Sequence, residues 1–226
     1  KRPTILRRIG RRLQVVQIPG MEEYYDYLRA HPDEIGELFS EILITVTSFF
    51  RDPEVWKALE RQVVPELFAG KTAADQVRVW VPGCASGEEA YTLAMILSEY
   101  AETLEAAPEL KIFATDIEET AIEEARRGVY PKAIKADIDE RRLRRFFLEE
   151  KGGYRIVKQI RDRVLFAVQN VLVDPPFSNL DLVSCRNLLI YLENAGQKRL
   201  LETFNYALRP DGYLLLGVSE TTGAGE

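Results

Sequence analysis

The sequence has a single histidine, His31, and only two cysteines, Cys84 and Cys185, in 226 residues. A Cys/His zinc site needs about four ligands, so these residues are too few for one and we predict no metal site. Two cysteines are also too few for a disulfide framework, which favours a reducing, cytoplasmic setting. His31 precedes Pro32 between two helical patterns, and we expect it at the surface. The chemistry of this chain is therefore expected to need no imidazole.

Long apolar runs are also absent. The longest, such as residues 213–218, fall far short of the ~20 residues of a transmembrane helix. The first twelve residues are rich in arginine and contain no continuous apolar stretch, so they do not resemble a signal peptide. The formal net charge of −6 argues against a protein that coats nucleic acid. We therefore predict no membrane insertion and no nucleic-acid partner.

What is present is a regular alternation of short apolar runs and helical patterns from residue 76 onward. Such alternation predicts an α/β fold, with a mostly parallel sheet and helices on both faces. We divide the chain into a helical N-terminal domain (1–50), a linker helix (51–75) and a sheet domain (76–226). Within the sheet domain, residues 132–162 interrupt the alternation of strands and helices, and a glycine pair at 152–153 predicts a hairpin in a small inserted β subdomain. The strands are predicted at 77–81, 110–114, 163–168, 180–185 and, after a turn at 210–212, 213–218.

The first helical pattern is strongly basic, with six basic residues and no acid in its first twelve positions. It is either a solvated helix face or a surface that docks onto an acidic partner. The sequence begins inside this helical pattern and stops soon after the last strand, so we expect a piece of a longer, multidomain chain.

The turn after the first predicted strand contains two glycines, Gly83 and Gly87, followed directly by Glu88 and Glu89. Glycines let a ligand approach the backbone, but the G-x-x-x-G spacing is not the G-x-G-x-x-G of a dinucleotide site. The two acids would repel a phosphate and suit a cation or an amine, although they are also favourable in any helix's first turn. Asp116 ends the second strand, where a ribose diol would lie. A cationic nucleoside without phosphates fits best, and S-adenosylmethionine (SAM) is the leading candidate.

Five segments, in order, resemble the CheR-type chemotaxis methyltransferases, which use SAM to esterify glutamate side chains of bacterial chemoreceptors. The resemblance covers nearly the whole chain. It implies a Rossmann-like SAM-dependent methyltransferase domain, S-adenosylhomocysteine as product, and the cytoplasmic helical domain of a chemoreceptor as partner. The segments are Thr47-Ser48-Phe49-Phe50-Arg51-Asp52, Pro-Gly-Cys-Ala-Ser-Gly-Glu-Glu at 82–89, Ala114-Thr115-Asp116-Ile117, Cys185-Arg186-Asn187-Leu188-Leu189-Ile190-Tyr191 and residues 214–221.

The resemblance also implies roles for single residues. The family's N-x-T-x-F-F-R segment falls on Thr45, Thr47 and Arg51, with Thr45 where the family has asparagine. Glu88 then meets the methionine amine and Asp116 the ribose, while Gly83 lies in the cofactor turn. Asn170 and Val171 match near the adenosine, Arg186 and Asn187 match after the fourth strand, and Tyr191 lies beside the methyl group. The resemblance thus implies that the cofactor is bound by Thr45, Thr47, Arg51, Gly83, Glu88, Asp116, Asn170, Val171, Arg186 and Asn187. Taken singly, each residue also fits a structural role, as a surface charge, a turn or a core residue.

Methyl transfer from a sulfonium is an in-line displacement, and it explains why imidazole is dispensable. A glutamate carboxylate, with a pKa of about 4.3, is already ionised at neutral pH and needs no general base. The enzyme's main task is then alignment at near-attack distance. We hypothesise that Arg51, Arg186 and Tyr191 hold the acceptor carboxylate or shape the pocket without protonating it.

Two alternatives remain open. Asp174-Pro175-Pro176-Phe177 matches the D-P-P-[FY] motif of amino-methyltransferases, which act on DNA adenines or protein amides. The best buried strand follows this motif instead of preceding it, so we expect it in the loop that enters that strand. The second alternative is a non-catalytic module that binds SAM, or nothing, and serves interactions.

Overall fold

The structure, a computed structural model, describes residues 2–42 and 47–220. The chain divides into two compact units, Lys1–Val46 and Thr47–Glu226. None of the helices in the described part has the length and hydropathy of a membrane span.

Within its described residues, the first unit consists of α1 (Arg2–Val15), α2 (Met21–Ala30) and α3 (Pro32–Ile42). One buried carboxylate joins all three helices. Arg12 of α1 donates from Nε and Nη2 to the two carboxylate oxygens of Glu34 on α3, at 2.9 and 2.7 Å. Tyr24 of α2 donates its hydroxyl to Glu34 Oε1 at 2.7 Å. A buried carboxylate needs hydrogen-bonding partners, and because those of Glu34 come from α1 and α2, Glu34 holds the three helices together. His31 is exposed, as predicted.

The basic helix is partly neutralised inside its own unit. Arg8 donates to the main-chain carbonyl of Glu41 on α3, and Arg12 is held by Glu34. Arg11 also reaches Glu41, at 3.4 Å, but its side chain is 73% exposed. Among these three arginines, Arg11 therefore remains the one that a partner can reach.

The second unit is an α/β domain, and its elements alternate as the sequence predicts. Its helices are α4 (Pro53–Gln62), α5 (Val64–Phe68), α6 (Glu88–Ala101), α7 (Glu119–Arg127), α8 (Glu140–Phe146), α9 (Lys158–Arg161) and α10 (Asn194–Ala207), with 3-10 helices at Lys132–Ala136 and Leu189–Tyr191. Its strands are β1 (Gln76–Pro82), β2 (Glu109–Asp116), β3 (Val129–Pro131), β4 (Phe147–Glu150), β5 (Gly153–Ile156), β6 (Val164–Val168), β7 (Leu180–Cys185) and β8 (Leu208–Leu216).

Five strands form one parallel sheet in the order β6-β2-β1-β7-β8. The strands predicted at 77–81, 110–114, 163–168 and 180–185 are confirmed as β1, β2, β6 and β7, with ends that shift by at most two residues. β1 is central and covered on both faces, which is why it is apolar almost throughout. Val77, Val79 and Val81 pack into the cluster that contains α6, whereas Trp80 packs with Phe204 of α10.

The last strand differs from the prediction. Residues 210–212, predicted as a separate turn, lie inside β8, which ends at Leu216 and not at residue 218. Leu180 of β7 pairs with Leu208 of β8, and Leu182 pairs with Tyr213, so the register shifts between these two pairs. The residues of β8 between Leu208 and Tyr213 form a bulge. A bulge of this kind keeps turn-forming residues within a strand, which is why the local pattern was misleading.

Residues 129–156 supply a second, antiparallel sheet in the order β3-β5-β4. β4 and β5 form the hairpin predicted from the glycine pair. A Cβ on Gly153 would lie 1.9 Å from the carbonyl oxygen of Tyr130, so only glycine allows β3 and β5 to approach this closely. Phe49, which is buried in the second unit, packs edge-on against Tyr130 and Phe147 of this sheet, with ring centroids 4.8 and 5.4 Å apart.

Candidate cofactor site and active site

Most of the predicted site residues lie along one edge of the parallel sheet. Because the strands run in the same direction, their carboxyl ends meet at that edge. β1 has β2 on one side and β7 on the other, so it marks the point where the strand order reverses and ligands of such sheets bind. The residues at this edge are Gly83 after β1, Asp116 at the end of β2, Asn170 and Val171 after β6, and Arg186 and Asn187 after β7.

The turn after β1 is bent through left-handed backbone at Gly83 (φ 67°), Ala85 (φ 48°) and Gly87 (φ 93°). A Cβ on Gly87 would lie 2.9 Å from Ala125 Cβ and 3.1 Å from the Phe166 ring, so this position needs glycine. Gly83 is exposed, and the three atoms nearest to a Cβ there all belong to the Leu188 side chain, from 3.3 Å. The turn is therefore fixed at Gly87 and open to a ligand at Gly83.

Asp116 ties this turn to β2. Its Oδ2 accepts the Ala85 N–H at 2.8 Å and its Oδ1 accepts the Glu118 N–H at 3.0 Å. A carboxylate offers about four lone-pair positions, so Asp116 keeps acceptor capacity on both oxygens. That capacity matches a pair of neighbouring hydroxyl groups.

Glu88 and Glu89 begin α6 and turn to different neighbours. Glu88 accepts the Ser86 hydroxyl, at 3.1 and 2.8 Å from its two oxygens. Burial raises the pKa of Glu88 above its ordinary value, and repulsion from Glu124 and Asp137 adds to the rise. A ligand cation would relieve both effects, so Glu88 suits an amine, whereas Glu89 belongs to a different cluster.

The Phe50–Asp52 segment is held in an unusual conformation. Phe50 and Asp52 both have left-handed φ values, 50° and 58°, which are strained for residues with side chains. The Phe50 N–H donates to Thr92 Oγ1 of α6 at 3.3 Å. Arg51 lies between the two with an exposed side chain, and Thr47 is half-buried. Thr45 lies outside the described residues.

Arg186 is buried beneath this segment. Its side chain is 1% exposed, and its Nη2 donates to the Arg51 carbonyl at 2.8 Å and to Asp52 Oδ2 at 2.7 Å. Its guanidinium lies 4.8 Å from the centre of the Trp56 ring, and its Nη1 donates to Glu89 Oε2 at 3.4 Å. These contacts turn Arg186 toward protein groups, so of its two hypothesised roles they fit shaping the pocket and not holding the acceptor.

Glu89 completes this buried cluster. Its side chain is 16% exposed, and its Oε1 accepts the Ser184 hydroxyl at 2.7 Å. Burial raises the pKa of Glu89 to about 7, although Arg186 and Ser184 act in the opposite direction. Sequence reasoning assigned no individual role to Asp52 or Trp56, and it treated Glu89 only as one of two acids suited to a cation or an amine, whereas the structure pairs Glu89 with Arg186 and Ser184.

After β7 the chain runs through Asn187, with a left-handed φ of 60°, into the 3-10 helix Leu189–Tyr191. Tyr191 is 50% exposed, so it is accessible to a substrate and is not a core residue. Glu220 binds this loop through its carboxylate. Its role was missed, although it belongs to the last of the five segments.

The D-P-P-F segment lies in the loop before β7, as predicted. Asp174 accepts the Asn170 N–H at 2.7 Å, and Phe177 stacks on Phe113 with ring centroids 4.3 Å apart. Asn170 Oδ1 accepts the Leu172 N–H at 3.1 Å. These contacts give Asp174 and Phe177 structural roles in a loop and remove the positional basis of the amino-methyltransferase alternative.

A parallel sheet with an open glycine turn, an acid at the following helix start and a second acid at the end of β2 fits the class of SAM-dependent methyltransferases. The family model described as "CheR methyltransferase, SAM binding domain" matches residues 45–225, and "CheR methyltransferase, all-alpha domain" matches residues 1–43. The chain belongs to the CheR methyltransferase family, and its cofactor is SAM.

Three similar proteins illustrate the relationship. An uncharacterised 104.1 kDa protein of Rhodobacter capsulatus is 46% identical over 217 residues, which cover 96% of this chain but only 23% of that protein's length. A chemotaxis protein methyltransferase of Borreliella burgdorferi is 32% identical over 228 residues, covering 98% of this chain and 81% of the relative. One of Listeria monocytogenes is 33% identical over 198 residues, covering 88% and 73%.

Proposed function

We propose that this chain transfers the methyl group of SAM to glutamate side chains in the cytoplasmic helical domain of a chemoreceptor. The products are a glutamate methyl ester and S-adenosylhomocysteine. The observation that chiefly supports this is that two exposed residues, Arg51 and Tyr191, lie in segments next to the carboxyl end of β7, since the Arg51 carbonyl accepts from Arg186 and Tyr191 ends the 3-10 helix that follows. Two of the relatives are named chemotaxis protein methyltransferase, which supports a substrate in the chemotaxis system.

The cofactor residues fit a cationic nucleoside. Glu88 would hold the amine, Asp116 the ribose hydroxyls, and the exposed turn at Gly83 would allow close backbone approach. Asn170 and Val171 would border the adenosine, and Thr47 and Asn187 would complete the site. When bound, SAM supplies a methyl group carried on a sulfonium cation.

The acceptor side needs orientation rather than proton transfer. A glutamate carboxylate is ionised at neutral pH, so it can be drawn to the Arg51 guanidinium and oriented by the Tyr191 hydroxyl. Arg186 holds the segment that carries Arg51 in place, because it donates to the Arg51 carbonyl and to the Asp52 carboxylate. We therefore assign Arg51 and Tyr191 to the acceptor and Arg186 to positioning.

The receptor partner also bears on the helical unit. Charge reversal at Arg12 would leave the buried Glu34 carboxylate without its cation and disturb the packing of the helices. Such a variant therefore cannot test docking alone. Arg11 can, because its side chain is largely exposed. We expect Arg11→Glu to weaken binding to an acidic receptor helix bundle, and a receptor substrate of this kind implies a cytoplasmic location.

The proposal is tested by incubating the protein with methyl-labelled SAM and a receptor cytoplasmic fragment. We expect label that is released by mild alkali, as methyl esters are, and mass spectrometry that maps it to glutamates. Asp116→Ala should abolish labelling, whereas Glu202→Gln, an exposed change on α10, should not. Alkali-stable label on protein amides or on DNA would contradict the proposal.

A further inference from the structure

Glu220 follows β8 and is 9% exposed. Its carboxylate accepts three main-chain N–H groups, each at 2.8 Å: Oε2 accepts those of Asn187 and Gly217, and Oε1 accepts that of Leu189. No side-chain cation is among these partners. One buried anion thus satisfies donors from the ends of two neighbouring strands, β7 and β8.

The loop held by Glu220 is the one that carries predicted site residues. Asn187 is left-handed, and Leu189 begins the 3-10 helix that ends in Tyr191. Leu188, between them, faces the turn after β1, since a Cβ on Gly83 would lie 3.3 Å from its side chain. A shift of this loop would therefore move groups on both the cofactor side and the acceptor side.

We propose that Glu220 is a positioning residue that fixes the 186–191 loop, and with it Tyr191, in the geometry that methyl transfer requires. We call the three hydrogen bonds from the Asn187, Leu189 and Gly217 N–H groups to Glu220 the clamp. The kinetic consequence of this inference rests on the proposed function, but the clamp itself can be tested without any substrate. Glu220 does not touch the reacting atoms and acts only through main-chain N–H groups.

The chemistry of the clamp predicts what glutamine can and cannot replace. A carboxamide has one acceptor oxygen, and its NH2 group only donates. In Glu220→Gln the oxygen keeps two bonds if it faces Asn187 and Gly217, which leaves the NH2 against the Leu189 N–H. The less favourable orientation leaves two N–H groups unpaired. The variant should therefore loosen the Leu189–Tyr191 helix while retaining the contact to Asn187.

The first experiment compares Glu220→Gln with wild type. We expect kcat for receptor methylation to fall roughly tenfold to a hundredfold, as for a lost charge-assisted hydrogen bond, while the Kd for S-adenosylhomocysteine stays within about threefold. Hydrogen exchange at residues 189–191 should become faster. The control is Glu193→Gln, an exposed glutamate in the same region whose side chain makes no capping bond, and it should behave as wild type.

A second variant disturbs the clamp without changing any charge. A Cβ on Gly217 would lie 2.7 Å from Glu220 Oε2 and 3.2 Å from the Asn187 nitrogen, so Gly217→Ala should displace the carboxylate and reproduce the loss of kcat. Its control is Gly196→Ala, where the nearest atom, Leu192 Cβ, lies at an ordinary 3.5 Å. This variant keeps the proposal testable if Glu220→Gln does not fold.

Three outcomes decide the matter. Unchanged hydrogen exchange at residues 187–191 in both variants would show that the clamp does not hold this loop. An unchanged kcat in both variants would show that Glu220 is not a positioning residue for methyl transfer. In a Tyr191→Ala background, Glu220→Gln should cost little further activity if Glu220 acts through Tyr191; a full additional loss would overturn that link. If wild type methylates no receptor glutamate, the proposed function fails, and exchange alone still tests the clamp.

Discussion

Glu89 offers a prediction whose size follows from its surroundings. Burial raises its pKa from 4.5 to about 7 in the folded chain. Between these two pH values the folded state therefore keeps a proton on Glu89 that the unfolded state has already released. Stability linked to Glu89 is therefore complete below the unfolded pKa and is lost as pH rises through the folded pKa. Two and a half pKa units correspond to about 3 kcal/mol, most of which should disappear between about pH 5 and pH 8.

Glu89→Gln removes this titration and keeps the shape of the side chain. The wild-type free energy of unfolding should fall by about 2.5 kcal/mol more than that of the variant from about pH 5 to pH 8. Urea unfolding followed by tryptophan fluorescence can measure it, because both tryptophans, Trp56 and Trp80, lie in the second unit.

The control for this comparison is Glu193→Gln, an exposed glutamate, which should parallel the wild-type pH curve. Parallel curves for wild type and Glu89→Gln would refute the reasoning, since burial would then impose no penalty on ionised Glu89.

Three further predictions concern the cofactor acids and the helical unit. Asp116→Asn loses a negative charge and one of two main-chain acceptor contacts, and we expect calorimetry to show roughly tenfold or greater weakening of S-adenosylhomocysteine binding. Burial raises the pKa of Glu88, so SAM affinity should fall as pH drops through that raised value, whereas Glu88→Gln should bind weakly with little pH dependence. Arg12→Met leaves Glu34 buried without its cation, so circular dichroism should show loss of the first unit's helices with a destabilisation of about 3–5 kcal/mol.

The central strands β1 and β7 were predictable because they are buried along almost their whole length and are therefore mostly apolar. β7, predicted at 180–185, was found at Leu180–Cys185. The bulge in β8 was not predictable, because it depends on how Leu180 and Leu182 pair with another strand. Turn residues at 210–212 indicate a change of direction but not whether strand pairing continues around it.

The site was predictable in position but not in orientation. Arg186 directly follows β7, so its place at the carboxyl edge follows from the parallel sheet. The side chain faces Asp52 and Glu89, however, and these partners are distant in the sequence. Glu220 was overlooked for a related reason: it acts on main-chain N–H groups, which leave no mark in the residue pattern.

The buried cluster changes how a pH–rate profile of this protein should be interpreted. Base-free transfer to an ionised carboxylate suggests that no group titrating near pH 6.5 should be needed. Glu89, with a pKa raised to about 7, supplies such a titration without acting as a base, because its ionisation state changes the support given to Arg186 and, through it, to Arg51. A rate step near pH 7 that disappears in Glu89→Gln, with activity retained, identifies support of the active site. A step in kcat at saturating SAM that persists in the variant, where the pH dependence of SAM binding through Glu88 no longer contributes, points to a proton-accepting group elsewhere and with it a different acceptor chemistry.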